Sequence, residues 1–140
     1  MPITLPKSVR EELEALPVSK RFDLFDFADE WISEIVFGPK RRSLHVAFEG
    51  ATIVPSDESE IQSIRLAIAL QFDSVSRVFL GPAECSLDGE VVDWGVEGVS
   101  PRQGKDRYRF WFNVMGDPGI ATFSFEADEF HVVVLGDAEK

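Results

Sequence analysis

At 140 residues, with 44% hydrophobic and 28% charged side chains, the chain has the size and composition of a single folded domain spanning residues 1–140, and a wholly disordered chain is excluded. Fourteen basic against 25 acidic residues give a net charge of −11, which makes nucleic acid and anionic membrane surfaces poor partners. Cys85 is the single cysteine and has no internal disulfide partner; with no signal peptide and no apolar run near the ~18 residues of a membrane span, the expectation is a cytosolic protein.

The N-terminus reads as helical. Ser8 and Glu11 form a capping-box pattern, and Val9, Leu13 and Leu16 recur at helical spacing until Pro17 stops the run. Ser19 can cap a second short helix, with Phe22, Phe25 and Ala28, or Leu24 and Phe27, turned inward. Residues 31–37 fit either a continued helix or a strand carrying Trp31, Ile35 and Phe37 on one face, and the strand is the expectation. Gly38 to Arg42 then forms a turn, and Ser43 to Phe48 returns as the second arm of a hairpin.

Strands follow one after another. Ile64, Leu66, Ile68, Leu70 and Phe72 alternate with Arg65, Ala67, Ala69 and Gln71, a period-2 pattern with one fully apolar face. The small Ala67 and Ala69 on its other face predict the close approach of a helix. Val78 to Leu80 and Val91 to Val96 are shorter strands, with Gly81 to Gly89 between them as loop or one helical turn. Tyr108, Phe110, Phe112 and Val114 alternate with Arg109, Trp111 and Asn113; a turn at Gly116 to Gly119 precedes Ala121, Phe123, Phe125 and Ala127. Phe130 to Leu135 is a nearly continuous apolar run, which predicts a strand covered on both faces. Helices first and strands afterwards predict an α+β fold, with N-terminal helices packed on a mostly antiparallel sheet.

The residues that carry chemistry are sparse. Cys85 lies in no motif with His45 or His131, and both histidines fall in strand-like runs. No His-x-His or His-x-Glu spacing points to a metal site, and Asp57-Glu58-Ser59-Glu60 lacks the spacing of a calcium loop. Gly95, Gly98 and Gly104 are too dispersed for a dinucleotide fingerprint. The expectation is therefore no catalytic residue, no metal and no cofactor.

Charge and aromatic residues point to recognition instead. Residues 51–100 hold nine acidic residues against Arg65 and Arg77 alone. Such an excess serves solubility in any small acidic protein, or it docks a basic protein partner by electrostatic steering. The second reading makes Glu84, Asp88, Glu90, Asp93 and Glu97 candidate partner-binding residues, with Trp94 as an aromatic anchor inside a negative rim. Trp94 also fits a core position on a short strand, and Trp111 fits either a shared face with Arg107 or Arg109 or a second face buried under the helices.

The segment Phe25-Asp26-Phe27-Ala28-Asp29-Glu30-Trp31-Ile32, the hairpin to Leu44-His45-Val46-Ala47-Phe48, the strand Ile64 to Phe72 with Val75, Val78 and Leu80, and the pair Arg109 to Phe112 and Phe123 to Ala127 resemble the layout of small immunity proteins of bacterial polymorphic toxin systems. Members of one such family open with a Phe-His-Asp-like element, where this chain has Phe25-Asp26. The resemblance implies a non-catalytic protein that binds and neutralises a cognate toxin, and such inhibitors are frequently acidic because many of their toxins are basic nucleic-acid enzymes. Two other classes remain open: an acidic nucleic-acid mimic aimed at a host nuclease, which needs regularly spaced carboxylates on one face, and a small enzyme or ligand-binding domain with a pocket between helices and sheet.

Overall fold

The computed structural model describes residues 7–39, 42–54, 64–82, 87, 89–116 and 119–137. Among the described residues, two short helices, α1 (Lys7–Ala15) and α2 (Val18–Phe22), precede nine strands. Five of these, β1 (Phe25–Asp26), β2 (Ile32–Phe37), β3 (Ser43–Ile53), β4 (Ile64–Asp73) and β9 (Glu129–Asp137), form the first sheet in the order β1-β3-β4-β9. The long β3 accommodates both β1, at Thr52 and Ile53, and β2, from Leu44 to Phe48. The second sheet is β5 (Ser76–Gly81), β8 (Ile120–Ala127), β7 (Lys105–Met115) and β6 (Glu90–Arg102), in the order β5-β8-β7-β6. Every pairing is antiparallel.

One bent ribbon joins the sheets. β4 runs into β5 through Ser74 and Val75, while β8 runs into β9 through Asp128. Asp73 pairs with Glu129 and Ser76 with Glu126, so the register passes the corner unbroken, and the Asp128 N–H donates to the Asp73 carbonyl at 3.2 Å. Ser74 (φ 57°) and Arg77 (φ 52°) adopt left-handed backbone there, a conformation that costs non-glycine residues energy and turns the chain sharply. A second seam runs from the segment before β2 to the start of β6: Asp29 N–H donates to Val91 O and Val91 N–H to Glu30 O, at 3.0 and 2.8 Å.

Phenylalanine fills the space between the sheets. Ten of the twelve are buried, and only Phe37 and Phe79 stand out to solvent. Phe72 of the first sheet meets Phe110 and Phe125 of the second with ring centroids 4.8 and 4.6 Å apart, and Phe48 meets Phe112 at 5.4 Å. The tilted and edge-on geometries suit rings with negative faces and positive edges. Inward-facing alternation on β4, β7 and β8 is as the sequence predicts: Leu66, Ile68, Leu70 and Phe72; Phe110, Phe112 and Val114; Ala121, Phe123 and Phe125 are all buried.

The predicted α+β architecture is overturned. Helices of nine and five residues are too short to cover a sheet, and the apolar face of each sheet is covered by the other sheet instead. The helices pack at the mouth of the sandwich, where Phe22 of α2 inserts among Phe27, Phe110, Phe112 and Phe130. Arg21 fixes this position by donating to the Leu16 and Phe130 carbonyls and pairing with Glu129. The second helix ends at Phe22, and the extended chain beyond it turns Phe25 and Phe27 both inward, which one helical face could not do. Ala69, expected under a helix, lies between Ala47 and Val133 in the sheet. The β9 run is not covered on both faces: β9 is an edge strand with Leu135 half exposed. Residues 31–37 form strand β2 apart from Trp31, which makes a single bridge to Glu90. The side chain of Ser8, Cys85 and most of the Gly81 to Gly89 loop lie outside the described residues.

Candidate partner-binding face

The second sheet turns one face to the phenylalanine core and the other outward. Alternation decides which residue goes where: since Phe110, Phe112 and Val114 of β7 point in, Arg109, Trp111, Asn113 and Met115 point out. Register then aligns rows across the four strands. Phe79, Ser124, Trp111 and Gly95 are successive neighbours from β5 to β6, and Thr122, Asn113 and Asp93 form the next row.

Trp111 is half-buried because its indole lies across Gly95, where a Cβ would run into the ring. Glycine at position 95 is thus a steric requirement of a flat-lying tryptophan. Phe79 is 55% exposed, and Met115 and Ile120, paired at the far end of the same face, are 50% and 47% exposed. The polar groups between them are held in place: Thr122 Oγ1 donates to Asn113 Oδ1 at 2.6 Å, and Asn113 Nδ2 donates to Asp93 Oδ2 at 3.3 Å. At the other side of Trp111, Arg109 donates to Glu97 at 2.9 Å and reaches Glu126 at 3.5 Å.

The sequence-derived candidates distribute unevenly. Glu90, Asp93 and Glu97 are exposed on β6, and pairing opposite Met115, Asn113 and Arg109 puts them on this outward face. Glu84 and Asp88 lie outside the described residues. Trp94 pairs opposite Phe112 and packs edge-on against Phe27 at 5.8 Å, so it belongs to the rim of the core and faces away from the three acids. The two tryptophans therefore divide the roles: Trp94 packs inward, and Trp111 is the aromatic that shares a face with the acids. Asp73, another of the nine central acids, is on the first sheet beside His131 at 3.1 Å. Phe79 carried a detectable signal in the consecutive Val78-Phe79-Leu80, but its alignment with Trp111 depends on a register that only the folded sheet supplies.

Both histidines lie on strands of the first sheet, His45 3.4 Å from Glu34 and His131 3.1 Å from Asp73. Among the described residues no group of three or more His, Cys, Asp or Glu side chains is arranged to hold a metal ion, and no helix is long and apolar enough to cross a membrane. Compared with known proteins, the chain matches no protein-family model, no curated protein and no solved structure.

Proposed function

We propose that the protein is a non-catalytic binding protein that captures a basic protein partner on the outward face of its second sheet, in the manner of an immunity protein neutralising a cognate toxin. The observation that carries this reading is the composition of that face: Trp111 flat across Gly95 and the exposed Phe79 supply apolar contact area, and Glu90, Asp93 and Glu97 supply a negative margin. An aromatic centre with charged surroundings is the usual energetic layout of a protein interface, where the rings contribute affinity and the charges steer encounter. A nucleic-acid mimic is less well served, because Arg109 sits between Glu97 and Glu126 and interrupts any even row of carboxylates.

The test is binding to the product of the neighbouring open reading frame, measured as association and dissociation rates at low and high salt. Trp111→Ala is expected to accelerate dissociation about tenfold or more, as loss of an interface anchor does. Binding that is indifferent to Trp111, Phe79 and the three acids would move the interface off this face.

A further inference from the structure

The corner between the sheets holds an unexpected concentration of positive charge in an acidic protein. β6 and β7 are joined by a two-residue turn at Gln103 (φ 53°) and Gly104 (φ 77°), the left-handed pair of a tight hairpin. Arg102 and Lys105 flank that turn and pair directly opposite each other, so their like charges share one side of the ribbon, an arrangement that is destabilising by itself. Arg42 arrives from a third segment, held by the Val75 N–H donating to its carbonyl at 2.9 Å. Arg42, Arg102 and Lys105 line a groove of about 320 Å³ together with Gln103 and Arg107.

Acceptors are in deficit there. The carboxylate that lines the groove, Asp128, is taken by Arg107 at 2.5 Å, and none of the other three cations forms a salt bridge to a described residue. Arg107 also donates to Ser74 O and Ser76 Oγ, and its Nε lies 3.9 Å from Glu126 Oε1, so Arg107 is already occupied by protein acceptors and, among the described residues, the other three cations are not. Arg42, Arg102 and Lys105, three cations lining one groove with no carboxylate paired to them among the described residues, describe a site completed by an anion.

We propose that this groove binds the phosphate group of a small ligand. Two guanidinium forks and an ammonium match the several oxygens and the double charge of a phosphate better than a single carboxylate. A long polyanion is disfavoured, because beyond roughly 8 Å, the screening length at physiological salt, it meets a protein of net charge −11. A compact dianion feels chiefly the local cations.

Thermal denaturation of the whole protein with inorganic phosphate, with adenosine monophosphate, and with sodium chloride at matched ionic strength tests the site. A specific ligand at ten times its dissociation constant should raise Tm by about 3–5 °C over the chloride control. Equal responses to the two probes identify free phosphate as sufficient, and a stronger response to the nucleotide identifies a phosphomonoester. The double variant Arg102→Gln/Lys105→Gln should lose this response while its Tm in chloride stays the same or rises, because removing the pair relieves repulsion at exposed positions. Arg42→Gln, from a different segment, should weaken the response independently. No Tm rise beyond chloride with either probe, or an undiminished rise in the double variant, overturns the proposal.

Discussion

Arg107 and Arg109 stand two residues apart on β7, where alternation puts them on one side of the strand, and the molecule uses them in opposite ways. Arg107 is at the corner, 3% exposed, and ties together Ser74, Ser76 and Asp128, residues from both arms of the bent ribbon. Arg109 is 45% exposed and lies between Glu97 and Glu126 on an open sheet face. The difference follows from the bend: where the ribbon turns, flanking chain encloses the side chain and a charge must be paired, and one step further along the sheet it is solvated and free to exchange partners. Within one strand, Arg107 is therefore tied into the corner, while Arg109 stays on an open face that the proposed function would use for recognition.

The largest expected effect tests the layer beneath both regions. Phe112 is fully buried against Phe22, Phe27 and Phe48, so Phe112→Ala should cost about 3–5 kcal/mol in denaturant unfolding. A loss under about 1 kcal/mol would mean that the two sheets do not share this core. Next comes the comparison itself. Arg107→Ala strands Asp128 at the corner and should destabilise by about 3 kcal/mol, whereas Arg109→Ala should change stability by less than about 1 kcal/mol. Equal effects of the two substitutions would remove the distinction between corner and face.

The tryptophans sharpen it further. Trp94→Ala removes a half-buried ring from the core rim and should cost about 1–2 kcal/mol of stability, while Trp111→Ala should act on partner dissociation and change stability less. Denaturation curves of the two variants, measured side by side, check the assignment. A Trp111 variant less stable than the Trp94 variant would assign the outward ring a structural role.

Strand alternation made most of this legible in the sequence. Phe110, Phe112, Phe123 and Phe125 declare their shared face by period alone, and the same period puts Trp111 on the other. The fold class is not legible this way, because alternation says that a face needs covering and is silent on what covers it. Here the cover is a second sheet, reached through a corner at Ser74, Val75 and Asp128, where Ser and Asp are turn formers but stand singly, with no Gly or Pro beside them to mark a change of sheet. The site was legible in its charge and hidden in its register. Asp93 and Glu97 could be named from composition, but that Trp111 and not Trp94 stands beside them follows from pairing β6 with β7, with Gly95 opposite the ring. The basic corner was illegible for the same reason, since Arg42 and Arg102 are sixty positions apart in the chain.

The smallest expected effect concerns the acids. Glu90, Asp93 and Glu97 are exposed, so replacing them together by Gln, Asn and Gln should leave stability within about 0.5 kcal/mol, because exposed charges away from special features contribute little. Their contribution to a basic partner is long-range, which acts on the rate of encounter before any contact forms. The triple variant should therefore associate more slowly at low salt and show a flatter dependence of association rate on salt, with dissociation nearly unchanged. Glu97 should contribute least of the three, since Arg109 at 2.9 Å already offsets its charge, and Glu90 and Asp93 most, having no cation paired with them among the described residues. Single substitutions compared at low salt read that order directly. An association rate in the triple variant equal to that of the unmodified protein would show that the negative margin does not steer, leaving Trp111 and Phe79 to carry the face alone.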